Sequence, residues 1–319
     1  MIFFITGCNG KIASALFNSL SEERKLVIGL SYNKNNLNES FDELNCSKRK
    51  KIVCNYFKEQ NLNKILDTLP SRKIVFYHFG WGGMSEPNRE SLQKKNYQNT
   101  KRLIKILKKR SKDFQIKFFF AGSIEEYSSD RSLLTEEKII NHEHRRSYEF
   151  YKNLILKENY NINIKNFIYV HFIISNVIPK NHQKSLIGTI LYSVMNNESI
   201  HVKNFLSYRS FILLDDLVNV LIRLAAKIDI NEIINLGNEK SYSMKFFYRK
   251  LHNKFKSYFH NNRSKIYFSK ENDEDRFKRK FKLDVRKVLI YTSIKLKFDH
   301  KYLIEKIINN EKKYSSHRS

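Results

Sequence analysis

Proline is nearly missing from this chain, with three residues in 319, and glycine is scarce at nine. There is accordingly no collagen-like or low-complexity segment and no flexible linker between domains, and no internal repeat stands out. Cysteine is limited to Cys8, Cys46 and Cys54. An odd number without metal-ligand spacing excludes a disulfide framework and reads as reduced thiols of a cytosolic protein. No apolar run approaches the ~20 residues of a membrane span. The apolar stretch at 2–5 is too short for a signal-peptide core and has no basic leader. The expected setting is cytoplasmic and off the membrane. Acidic residues are short as well, 32 against 59 Lys and Arg, for a net charge of +27. That excess suggests nucleic acid or an anionic surface. The basic residues are nevertheless spread, with short runs only at 48–51, 105–112 and 276–282, and Asn, Lys and Ile are heavy throughout. Drift toward A/T-rich codons gives the same pattern without a nucleic-acid partner. The charge is expected to steer anionic substrates such as nucleotides.

What the chain does have is alternation. Residues 1–6 are a short apolar run, followed by a glycine turn and a helical pattern with Ile12, Leu16 and Leu20 on one face. Strand-like runs follow at 25–30, 51–55, 73–79, 115–121, 164–174 and 230–236. Helical patterns occupy 90–109, 147–158 and 211–226. Strands alternating with helices predict βαβ units and an α/β fold: a Rossmann-like, doubly wound parallel sheet with a smaller C-terminal substrate domain. The expected division is a dinucleotide-binding domain over 1–175, to whose sheet 211–237 return. Residues 176–210 and 238–312 would form the substrate domain, and 313–319 a frayed tail.

The first motif is Thr6-Gly7-Cys8-Asn9-Gly10-Lys11-Ile12-Ala13. Gly7 permits a tight turn, Gly10 lets backbone approach a pyrophosphate, and Ala13 allows close helix-to-strand packing. The helix N-terminus then binds the anion. About 20 residues on, dinucleotide folds often place an acidic residue on the adenosine ribose. Here the stretch reads Gly29-Leu30-Ser31-Tyr32-Asn33-Lys34, without a carboxylate. Ser31 does not repel a 2′-phosphate and Lys34 can pair with one, so NAD(P) is expected with a lean toward NADP.

Tyr148 and Lys152 are four apart on a helix and share a face. An ammonium beside a phenol stabilises the phenolate, making Tyr148 a candidate proton donor and acceptor. Ser123 follows the 115–121 strand, at the strand end where α/β folds bind ligands.

Taken together these motifs make the chain resemble an extended short-chain dehydrogenase/reductase of the NAD-dependent epimerase/dehydratase family. Thr6 to Ala13 fits the family's cofactor turn, and His78-Phe79-Gly80-Trp81 the loop after its fourth strand. Asn96-Tyr97-Gln98-Asn99-Thr100 fits an Asn-x-x-Gly-Thr helix start with Asn99 in place of glycine. Ser123, Tyr148 and Lys152 fit the catalytic triad. The segment from Arg209 to Asp216 resembles Arg-Asp-Phe-x-x-Val-Asp-Asp, and Asn235-Leu236-Gly237 resembles Asn-Ile-Gly.

The resemblance implies Tyr148 as acid/base, Lys152 as its partner and a holder of the nicotinamide ribose, and Ser123 as hydrogen-bond donor to the reacting oxygen. It implies cofactor contacts from Thr6, Gly7, Asn9, Gly10, Lys11, Ile12, Ser31, Lys34, Asn55, Phe79, Gly80, Trp81 and Asn96, and substrate contacts from Trp81, Ser123, Asn176 and Arg209. The substrate implied is a nucleotide sugar in polysaccharide or glycan precursor synthesis. The assembly implied is a homodimer joined through the 90s–100s and 147–158 helices.

Two motifs depart from the family. The Asp-Glu that dehydratases carry after the Ser/Thr reads Ile124-Glu125, which disfavours 4,6-dehydration while leaving Glu125 a candidate base. Asn-Val-Tyr-Gly-Pro is eroded to Asn176-Val177-Ile178-Pro179. The reading is an epimerase or a 4-ketoreductase, with a 4,6-dehydratase or a catalytically silent NADP-binding regulator as alternatives. No metal is expected: His78 has no companion at ligand spacing, and His142-Glu143-His144 lies in a polar stretch.

Overall fold

The computed structural model describes the whole chain except residues 24, 33–48, 128–131, 140–145, 181–184, 204, 270–278, 297 and 317–319. Seven strands form one sheet: β1 (Ile2–Thr6), β2 (Leu26–Tyr32), β3 (Arg49–Cys54), β4 (Lys73–His78), β5 (Gln115–Ala121), β6 (Phe167–Ile174) and β7 (Glu232–Leu236). All are parallel, in the order β7-β6-β5-β4-β1-β2-β3. Every residue of β1 is buried, as are five of the six in β4. Strands covered on both faces read as unbroken apolar runs, which is why these segments do not alternate. Register stacks their rings: Phe4 lies 5.5 Å from Phe76, Phe76 5.8 Å from Phe118, and Phe118 6.1 Å from Tyr169.

Helices α1 (Lys11–Glu22), α2 (Glu59–Asp67), α3 (Glu90–Arg110), α4 (Ser147–Asn159), α5 (Leu186–Met195), α6 (Leu214–Lys227), α7 (Met244–Lys256), α8 (Arg286–Thr292) and α9 (His300–Ser316) follow in sequence. α2, α3 and α4 cover one face of the sheet, and α1, α6 and α8 the other. A third apolar cluster joins α5, α7 and α9 around Phe205, Phe211, Phe247 and Leu303, away from the sheet. Two short parallel pairs belong to it, Phe211–Leu213 on Asn176–Ile178 and Ile266–Phe268 on Ile200–Val202.

The order reverses between β1 and β4. Their connections leave toward opposite sides and open a crevice at the C-terminal ends of the strands, where open α/β sheets bind ligands. Three boundaries differ from the sequence reading. Residues 211–213 are a strand, because the helix begins only at Leu214, with Asp215 and Asp216 in its first turn. Of 211–237, only β7 joins the sheet, while α6 lies on its face. Helix α9 continues to Ser316, beyond the expected start of the tail. No helix among the described residues is long and apolar enough to cross a membrane.

Candidate active site

After β1 the chain turns through Gly7 at φ 68°, in the left-handed region. A Cβ there would stand 3.0 Å from Gly80 Cα and N, so the loops leaving β1 and β4 touch backbone to backbone. Thr6 fastens them: its hydroxyl accepts from the Gly80 N–H at 3.1 Å and lies 2.7 Å from His78 Nδ1. His78 Nε2 lies 3.0 Å from the Thr100 hydroxyl. Complete burial, with the nearby Lys152 charge, pushes His78 down to about 3. The imidazole is therefore a neutral strut under the crevice. Helix α1 starts beyond Gly10, which caps it without a side chain, and its first turn contains no acidic residue. Its leading N–H groups have no resident carboxylate, the arrangement that receives a pyrophosphate. A Cβ at Gly10 would come within 3.2 Å of the Gly7 carbonyl. This cradle fits a dinucleotide. Asn9 and Lys11 are exposed beside it, and Ile12 is half-buried.

On the other side of β4, β5 delivers Ser123 just beyond its end. Ser123 caps the short turn Ile124–Glu126: its hydroxyl accepts from the Glu125 N–H at 3.2 Å, and its own N–H donates to Glu126 Oε1 at 2.7 Å. Glu126 is fully buried and pairs with buried His171 at 3.0 Å, and His171 Nδ1 lies 2.8 Å from the Tyr169 hydroxyl. Helix α4 carries Tyr148 and Lys152, both buried. Lys152 Nζ donates to the Ala121 carbonyl at 2.7 Å and stands 4.8 Å from the centre of the Tyr148 ring. It also lies 5.5 Å from the Trp81 ring centre. One ammonium thus links the strand end that presents Ser123 to the helix that presents Tyr148. The Tyr148 hydroxyl makes no hydrogen bond among the described residues.

Beside this pair lies an ionic chain. Glu125 Oε1 accepts from Arg209 Nη1 and Oε2 from Arg146 Nη2, each at 2.7 Å. Arg146 is in turn held by buried Glu149, through Nε at 2.9 Å and its backbone N–H at 3.0 Å.

The sequence model of the NAD dependent epimerase/dehydratase family matches residues 3–237. The chain belongs to this family. Among curated protein sequences none matches it. Solved structures of similar fold include UDP-glucose 4-epimerase from Thermotoga maritima with UDP-glucose, 17% identical, with a TM-score of 0.74 over 98% of this chain and 99% of that one. UDP-N-acetylglucosamine 4-epimerase from Methanobrevibacter ruminantium, in complex with UDP-N-acetylmuramic acid, is 19% identical with a TM-score of 0.74 over 99% and 98%. A dTDP-glucose 4,6-dehydratase from Bacillus anthracis with NAD is 15% identical, with a TM-score of 0.72 over 98% and 97%.

Within this epimerase/dehydratase chain, several side chains anticipated at the ligands are engaged by protein. The Asn96 amide donates to the Gly82 carbonyl at 2.8 Å, and Trp81 Nε1 to buried Gln93 at 2.8 Å, so both shape the loop after β4. The half-buried Phe79 carbonyl accepts from the Trp81 N–H in the same loop. Asn176 Nδ2 donates to the Ser210 carbonyl at 3.1 Å. Asn55 Oδ1 accepts from the Phe57 N–H at 3.3 Å. Ser31 Oγ lies 3.1 Å from Cys8 Sγ. Lys34, the other support for NADP, lies outside the described residues, as do His142, Glu143 and His144. Among the described residues no group of three His, Cys, Asp or Glu is placed to hold a metal. Sequence reasoning did not single out Arg146, Glu126 or His171. Arg146 and Glu149 stand three apart, as capping pairs do; His171 sits inside an apolar strand, the one local hint of a buried polar partner.

Proposed function

We propose that this chain is a NAD-dependent nucleotide-sugar epimerase or 4-ketoreductase, with Tyr148 as proton donor and acceptor. The observation that carries the reading is Lys152 lodged between the Ala121 carbonyl and the Tyr148 ring. With Lys152 held against its ring, Tyr148 would take the proton of a sugar hydroxyl and give it back. Ser123 would donate a hydrogen bond to the same sugar oxygen. Gly7, Gly10 and the start of α1 would hold the pyrophosphate of NAD, which supplies the hydride acceptor when bound. The sugar would sit by Trp81, with Asn176 and Arg209 toward the rest of the nucleotide. A preference for NADP rests on Ser31 and Lys34 alone and is decided by comparing NAD and NADP titrations. Assembly as a homodimer through α3 and α4, and a cytoplasmic role in glycan precursor synthesis, belong to the same reading.

The test is mass spectrometry of small molecules released from the purified protein, followed by turnover on a panel of nucleotide sugars and their 4-keto forms. Tyr148→Phe should lower kcat by about 10²–10⁴-fold, the usual contribution of a general acid–base, with NAD affinity nearly unchanged. Unchanged turnover in that variant removes the proposed role.

A further inference from the structure

We propose that Glu125 is a positioning residue, which orients Arg209 and Arg146 toward an anionic nucleotide instead of moving a proton. The inference rests on the function proposed above and concerns the same site. Glu125 stands where a carboxylate beside Ser123 invites the role of base. In the structure both of its oxygens already accept charge-assisted hydrogen bonds from guanidinium groups, at 2.7 Å each. The carboxylate is aimed at two arginines and away from the work of a free base. Arg146 lies two residues before Tyr148, and buried Glu149 fixes its side chain from the opposite side. Arg209 lies on the short strand Tyr208–Arg209, which pairs antiparallel with Tyr242–Ser243. The run Glu149–Arg146–Glu125–Arg209 therefore ties the start of the Tyr148 helix to the segment that joins the α5, α7 and α9 cluster through Phe205 and Phe211. A guanidinium held in place loses less freedom on meeting a diphosphate, so the bridge acts on binding more than on chemistry. The site is then suited to hydride removal and return, not to elimination of water.

The experiment compares Glu125→Asp and Glu125→Gln with the wild-type protein, using UDP and dTDP as calorimetric probes and kcat and KM on the best nucleotide sugar. Aspartate keeps the charge but is too short to span both guanidiniums; glutamine keeps the length but turns an NH2 toward one of them. Both should weaken nucleotide binding and raise KM by about 10-fold, lower kcat by less than about 3-fold, and leave the pH dependence of kcat in place. Adding Arg209→Lys to Glu125→Gln should cost less than Arg209→Lys alone, as expected of coupled partners. A fall in kcat of about 100-fold with nucleotide affinity retained, or loss of a limb of the pH profile, overturns the proposal and makes Glu125 a base. Additive effects on binding overturn it as well. The calorimetric cycle needs no turnover, so failure of the bridge and failure of the enzymatic reading are seen separately.

Discussion

Gly7 shows how much one residue decides here. Its positive φ costs an L side chain about 1–2 kcal/mol, and a Cβ would also press on the Gly80 backbone at 3.0 Å. Gly7→Ala should lower stability by about 2 kcal/mol in urea denaturation and weaken NAD binding, because the two loops that frame the crevice must separate. His78 makes a second residue-scale prediction. Its ordinary value is 6.5 and burial with the Lys152 charge brings it to about 3. Between those values the unfolded chain takes up a proton that the folded chain refuses. The associated stability is complete above pH 6.5 and is lost as pH falls toward 3. Glu136 opposes it: burial pushes its carboxyl up to about 7 from 4.5, so its contribution is complete below pH 4.5 and is lost as pH rises through 7. Removing one slope exposes the other. The stability difference between wild type and His78→Asn should grow with pH between about 4 and 6.5, by up to about 1.4 kcal/mol per pH unit. Urea midpoints across that range measure it.

At the scale of elements, the end of β5 is held from beneath by a polar stack in an apolar sheet. Gly122 permits it, since a Cβ there would fall 2.3 Å from His171 Nε2. Glu126 joins that imidazole to the Ser123 N–H, and Glu126 and His171 are both fully buried. Glu126→Ala frees the half-buried Ser123 N–H and leaves the buried His171 ring nitrogen without its partner, the latter at about 1–3 kcal/mol. Chemical denaturation should show a loss of about 2 kcal/mol or more, and kcat should fall as Ser123 loses its anchor. Beyond an imidazole set in an apolar strand, none of this support was legible in the sequence. Glu126 and His171 are 45 residues apart, and only the pairing of β5 with β6 brings them together. The inner strands of the sheet were legible, because burial on both faces writes itself as an unbroken apolar run, whereas the edge strand β3 is half exposed. The start of α6 was not, since Phe211, Ile212 and Leu213 suit a strand and a buried helix equally.

For the whole molecule, the net charge of +27 bears on assembly more than on fold. Helix α3 exposes Lys94, Lys95, Lys101, Arg102 and Lys105 along its outer side. Lys101 is paired with Glu158 of α4 at 3.0 Å. Pairing of two copies through α3 and α4 sets these like charges against each other, and salt screens such repulsion over about 8–10 Å at 0.1–0.15 M. The proposed dimer should therefore tighten as NaCl is raised from low to physiological concentration. Sedimentation at two salt concentrations measures this, and a dimer that loosens with salt would require a different interface.

The chain's residues, read in order, were enough to determine the parallel α/β fold, the glycine turn after β1, and the shared helix face of Tyr148 and Lys152. Each is encoded locally, by strand runs, by a turn only glycine tolerates, or by a four-residue helical spacing. Tertiary structure alone decided what the charged and amide side chains do. Arg209 meets Glu125 from 84 positions away, Asn176 turns to Ser210, and His78 loses its charge to burial between Thr6 and Thr100. Local patterns fix backbone and burial; the partner of a polar group is fixed by whichever distant strand or helix the fold brings beside it.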